Sequence, residues 1–262
     1  MKQFLLFAAL LASTAARAHD SWVETNTNII RTGDAIRVDL MLGNHGNEHR
    51  DFKLAGKLEL KNAKISIIAP GGAATDIKPQ LRDVGLAENE GFWTATILAP
   101  KEGLYCVAHS FDAVASYAPV RSVKSAKTFF LASKSLDRVP MFPVGSDRVL
   151  GHALELVPQS NTVAPMGVGT PLRVRLLWKG KPLTNTVVSF IPRGVQLTET
   201  FDERYERRTN AQGDATFEPT SANTYLVVAH TEDKEAKGEG YDSTKYSAAL
   251  SVFVPQICAC CG

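Results

Sequence analysis

What this chain lacks narrows its class sharply. After residue 18 no apolar run approaches the roughly 20 residues that a membrane-spanning helix needs, so no direct membrane insertion is expected of that part. Charge of one sign is also missing: 29 Lys and Arg stand against 27 Asp and Glu, a net charge of +2. A balance that even gives neither the phosphate backbone of a nucleic acid nor an anionic lipid surface much to hold. Cysteine is scarce and unevenly placed. Cys106 sits alone in "GLYCVAHS", while Cys258, Cys260 and Cys261 crowd the last five positions of the four in the chain. That spacing does not describe a disulfide scaffold.

Familiar catalytic signatures are absent too. The sequence has no H-E-x-x-H helix, no Cys/His finger spacing, no G-x-S-x-G elbow and no G-x-x-x-x-G-K-[ST] loop. "FDERYERR" (201–208) alternates acids and bases, the pattern of a solvated β-edge rather than of a paired acid and base. The expectation is a protein that is not an enzyme.

The first 18 residues read as a secretory signal peptide. Lys2 gives the positive start, "FLLFAALLA" (4–12) the apolar segment, and Ala16-Arg17-Ala18 an A-x-A cleavage site. Cleavage after Ala18 would send the protein to the periplasm and make His19 its first residue. It would also remove Lys2 and Arg17 from the 29 bases, leaving the mature chain balanced against its 27 acids.

Short alternating segments bounded by Gly, Pro, Asn and Asp dominate the rest, and no window keeps a 3.6-residue apolar period. "AIRVDLML" (35–42), "KISIIAP" (64–70), "FWTATILAP" (92–100), "GLYCVAH" (103–109) and "SAKTFFLA" (125–132) form a first series of strands. A second series runs through "HALELVP" (152–158), "PLRVRLLW" (171–178), "TVVSFIP" (186–192), "DATFEP" (214–219), "TYLVVAH" (224–230) and "SAALSVFVP" (247–255). The predicted fold is all-β, with two β-sandwich domains. An immunoglobulin-like sandwich is expected over 19–135 and a linker over 136–150. A transthyretin-like or prealbumin-like sandwich follows over 151–255, then a Cys-rich tail over 256–262. The turn Asn210–Gly213 reads as the end of a hairpin.

Histidine carries the chemistry that remains. A mature His19 offers an α-amine and an imidazole to one ion, and one further imidazole makes a planar nitrogen set suited to Cu(II) or Ni(II). "LGNHGNEHRDF" (42–52) puts His45 and His49 in one glycine-bearing loop after a strand. His109 and His230 each end an apolar strand, where loops gather. His152, at the start of "HALELVP", reads as structural. Asp20 is placed to orient an imidazole as an acceptor. The candidate metal ligands are therefore His19, His45, His49, His109 and His230. Cys258, Cys260 and Cys261 suit a soft ion when reduced, or a Cys258–Cys261 disulfide when oxidised.

Several phrases taken together resemble a known family: "AHDSWVE", "LMLGNHGNEHRDF", "GHALELVP", "VSFIPRG" and "GYDSTKYSAALSVFVPQ". They are similar to a bacterial periplasmic family of unknown function that includes soluble proteins associated with nickel and cobalt uptake. The resemblance implies an exported β-rich protein that binds a divalent transition metal, with His19 as a ligand and a membrane uptake transporter as partner. Nickel or cobalt is the expected metal. The alternatives are a copper-binding or delivery protein using His19 and the cysteine tail, a copper oxidase, and a structural or adhesive sandwich without metal.

Overall fold

Strands with apolar residues at every position, rather than every second one, demand burial on both faces of their sheet. The computed structural model, which describes residues 19–43, 57–87 and 90–259, shows how this chain meets that demand. It has seventeen strands and no α-helix among the described residues, stacked as three β layers.

The middle layer is the largest sheet, of nine strands. Its order is β14 (Glu206–Arg208), β13 (Val187–Pro192), β16 (Asn223–Asp233), β17 (Ser243–Val254), β9 (Val120–Ser133), β8 (Gly103–Val114), β4 (Ala63–Ile68) and β5 (Ala74–Asp76). The short β2 (Ile29–Arg31) also pairs with β9. One outer layer is β1 (Asp20–Thr25), β3 (Ala35–Gly43), β7 (Glu90–Leu98) and β6 (Arg82–Ala87). The other holds β10 (Leu154–Pro158), β11 (Leu172–Trp178), β12 (Lys181–Pro182) and β15 (Asp214–Phe217).

Side-chain alternation on β8 shows both interfaces at once. Leu104, Cys106 and Ala108 enter the core shared with β10 and β11, while Tyr105 and Val107 enter the core shared with β1 and β3. Two pairings within the central sheet are parallel: the short β2 with β9, and β17 with β9 from Ser243 opposite Val120 to Ser251 opposite Thr128. The seam of β17 and β9 is the longer of the two. That seam joins the two halves of the chain, which therefore share one sheet on either side of residues 136–150.

The turn at Asn210–Gly213 has its expected local chemistry. The Asn210 side-chain oxygen accepts from the backbone N–H groups of Gln212 and Asp214, and Gly213 lies at φ +75°. A Cβ there would come within 2.9 Å of the Leu176 carbonyl oxygen. The turn does not close a hairpin, however. β14 pairs with β13 in the central sheet and β15 with β11 in the outer one, so the turn carries the chain from one layer to the next.

One charged pair lies between these layers. Lys127 of β9 and Glu155 of β10, 2% and 1% exposed, are ion-paired inside the interface. Glu155 also accepts from the N–H groups of Leu150, Gly151 and His152, and Lys127 donates to the Arg148 carbonyl. A buried charge is tolerated only when it is satisfied in this way.

A histidine groove at the first strand

The first strand is fixed by its apolar anchors. Trp22 and Val23 are fully buried, and the Trp22 indole N–H donates to Glu24 Oε1 at 2.7 Å. β1 pairs antiparallel with β3, from Asp20 opposite Gly43 to Thr25 opposite Val38. With the strand held there, residues 19–21 lie across the central sheet, and each of them is bonded to one of its side chains.

Lys124 of β9 donates from Nζ to the His19 carbonyl oxygen. Asp20 Oδ1 lies 2.7 Å from His230 Nε2. Ser21 Oγ lies 3.1 Å from His109 Nε2. The register accounts for this convergence. His230 on β16 sits opposite Ser247 on β17, and Ser247 sits opposite Lys124 on β9. His230 and Lys124 are thus two strand spacings apart, roughly 10 Å, on the face that β1 crosses. His109 is opposite Ala126, the next residue of β9 on that face.

The two sheet histidines are held very differently. His109 is 1% exposed. Its Nδ1 faces the Lys64 carbonyl oxygen at 3.1 Å, so Nδ1 carries the proton and Nε2 accepts from the Ser21 hydroxyl. Burial pushes its pKa down to about 3, against the partial support of the Lys64 carbonyl. With both nitrogens engaged and no charge, His109 anchors β1. His230 is 56% exposed and meets a carboxylate that is itself 14% exposed. Burial opposes ionisation of Asp20, but His230, Lys124 and His19 together hold its pKa below the usual 3.8. Asp20 is therefore charged at neutral pH and holds the His230 ring by one nitrogen, the arrangement that orients metal-binding imidazoles.

Of the five candidate histidines, the structure brings His19, His109 and His230 to the start of β1. His45 and His49 lie outside the described residues; β3 ends at Gly43, opposite Asp20. His152 is half-buried, and burial pushes its pKa down. Cys258 is disulfide-bonded, whereas Cys106 is free and buried, with its thiol pushed up to about 12 by burial. Cys260 and Cys261 lie outside the described residues. Among the described residues no three His, Cys, Asp or Glu side chains are grouped to hold a metal. Sequence reasoning passed over Lys124, which lies just before the expected strand 125–132 in the polar stretch Ser122–Lys127.

Beside Asp20 and His230 the face of the central sheet stays open and forms a groove of about 530 Å³. Val187, Ile191, Leu197 and Val228 give it an apolar part, and the rest of its lining is mostly polar, with Lys124, Lys245, Glu206 and Glu232 among the charged groups.

Fold and site define an all-β protein of layered sandwiches with a groove beside Asp20 and His230 at its first strand. The chain belongs to the family described as domain of unknown function DUF4198, whose profile matches residues 16–233. No curated protein matches the sequence. Among solved structures, a DUF4785 family protein from Legionella pneumophila is 11% identical over 79% of this chain and 51% of its own, with a TM-score of 0.28. Trypsin-activated alpha-2-macroglobulin from Escherichia coli is 10% identical over 90% of this chain and 16% of its own, with a TM-score of 0.27. This chain spans about half the length of the first and a small part of the second.

Proposed function

We propose that this chain is an exported protein that binds a divalent transition metal, nickel or cobalt, and presents it to a membrane uptake transporter. The observation that carries this reading is the bond between Asp20 and His230. It brings a histidine 210 residues away in sequence to the dipeptide that cleavage after Ala18 would expose. The donors are then the His19 α-amine, the His19 imidazole and the His230 imidazole, with Asp20 orienting the last. Two neutral nitrogens from one residue plus an imidazole suit Ni(II) or Cu(II) better than tetrahedral Zn(II). The α-amine exists only after cleavage, which is why side chains alone do not make up a complete donor group.

The Asp20 carboxylate supports binding in a second way. It is ionised at neutral pH and places a negative charge beside an incoming cation. Titration of the mature protein with Ni(II), Co(II) and Cu(II) against a competing chelator tests the reading. Nickel or cobalt binding at one ion per chain, weakened about tenfold or more by His230→Ala, is the expected result. Tight copper binding with no nickel or cobalt binding would favour the copper reading, and no binding of any of the three would leave a structural sandwich.

A further inference from the structure

The groove beside Asp20 and His230 is far larger than an ion requires. About 530 Å³ lies within the range of small-molecule sites, roughly 300–1,000 Å³, whereas one water occupies about 30 Å³. Its floor is four aliphatic side chains, of which Ile191 and Val228 are 5% and 2% exposed. A floor of that kind lowers the local dielectric and favours an apolar body above it.

The charges in the wall indicate what the other end of that body carries. Glu206 is already satisfied, accepting from the Ser189 hydroxyl and from the Asp202 N–H. Asp20 is engaged by His230, and Glu232 accepts from the Ser243 hydroxyl. Lys124 differs. It is 8% exposed, and one of its three N–H donors goes to the His19 carbonyl. No other hydrogen bond from its ammonium occurs among the described residues. A buried ammonium with donors to spare, in the wall of a groove with an apolar floor, is suited to an anion.

We propose that this groove binds a small organic carboxylate, its carboxyl group on Lys124 and its apolar body on Val187, Ile191, Leu197 and Val228. The groove adjoins the proposed metal donor His230 and its partner Asp20, which also line it, but none of the residues assigned to the carboxylate is itself a proposed metal donor.

Calorimetric titration of metal-stripped protein with 3-phenylpropionate and hexanoate tests it, with 3-phenylpropanol and phenethylamine as controls. The expected result is binding of one carboxylate per chain, at least about tenfold tighter than either control. Lys124→Met should remove that preference. Because Lys124 also holds the His19 carbonyl, Val187→Trp serves as a second variant that fills the floor without touching the first strand, and it should abolish binding. Equal binding of carboxylate, alcohol and amine would overturn the proposal. So would the absence of carboxylate binding, or carboxylate binding that survives Val187→Trp. Since no metal is present, failure here leaves the metal titration unaffected.

Discussion

At the scale of single residues, the two histidines bonded to the first strand show how environment divides their roles. His109 is buried and neutral, and its folded pKa of about 3 lies well below the ordinary 6.5. Between those values the unfolded chain holds a proton that the folded chain lacks, so stability is lost as pH falls from 6.5 toward 3. Each pH step between the two values costs roughly 1.4 kcal/mol, so the loss is on the order of a few kcal/mol. Urea denaturation at a series of pH values should show this slope in the native protein and a shallower one in His109→Gln. An identical slope in both would mean that His109 is not the group responsible. Asp20 acts at lower pH and with the same sign. Its folded pKa is depressed, so its contribution persists above its unfolded pKa and is lost as pH falls through the folded one.

At the scale of elements, the strands were legible in the sequence and their allocation to layers was not. "KISIIAP", "GLYCVAH" and "TYLVVAH" all fall in strands, beginning within one residue of the expected start, though β8 and β16 run on to Val114 and Asp233. Period-2 patterning and turn residues are local, and they reach the sequence directly. Which sheet a strand joins depends on long-range pairing, and the Asn210–Gly213 turn marks the difference. Its glycine and asparagine gave the turn correctly, yet nothing local says that the next strand pairs with β11 instead of β13. The site was legible in the same partial way. Strand-end histidines pointed to His109 and His230, but only the register reveals that Asp20 reaches one and Ser21 the other.

The charged pair between β9 and β10 gives a prediction at this scale. Lys127→Met leaves Glu155 accepting three backbone N–H groups, while Glu155→Leu strands those three donors and leaves the buried ammonium only the Arg148 carbonyl. Breaking a buried pair costs about 3–5 kcal/mol, and Glu155→Leu should lie at or beyond the upper end and exceed Lys127→Met. Thermal or urea melts of both variants check the order; a larger loss for Lys127→Met would contradict it.

At the scale of the whole molecule, the parallel seam of β9 and β17 makes each half of the chain complete the other's sheet. Both cores draw on that sheet: Leu131 and Leu250 face one outer layer, Phe130 and Ala249 the other. One cooperative unfolding transition is expected, detected alike by tryptophan fluorescence and by circular dichroism. A fragment ending before the linker would expose the β9 edge and aggregate; two separated transitions would argue for independent units. The same architecture places the start of the first strand, His230 and the groove at one point, although they come from opposite ends of the sequence.

The proposed metal reading turns on one event: removal of residues 1–18 would create a ligand at His19. It is tested by comparing two proteins, one beginning at His19 with a free amine and the other carrying a single glycine before it. Each is titrated with Ni(II) and Co(II) under the same competition. The added glycine is expected to weaken binding by about a hundredfold, in the range of losing one or two donors. Equal affinity in the two proteins would show that the free amine of His19 is not a ligand.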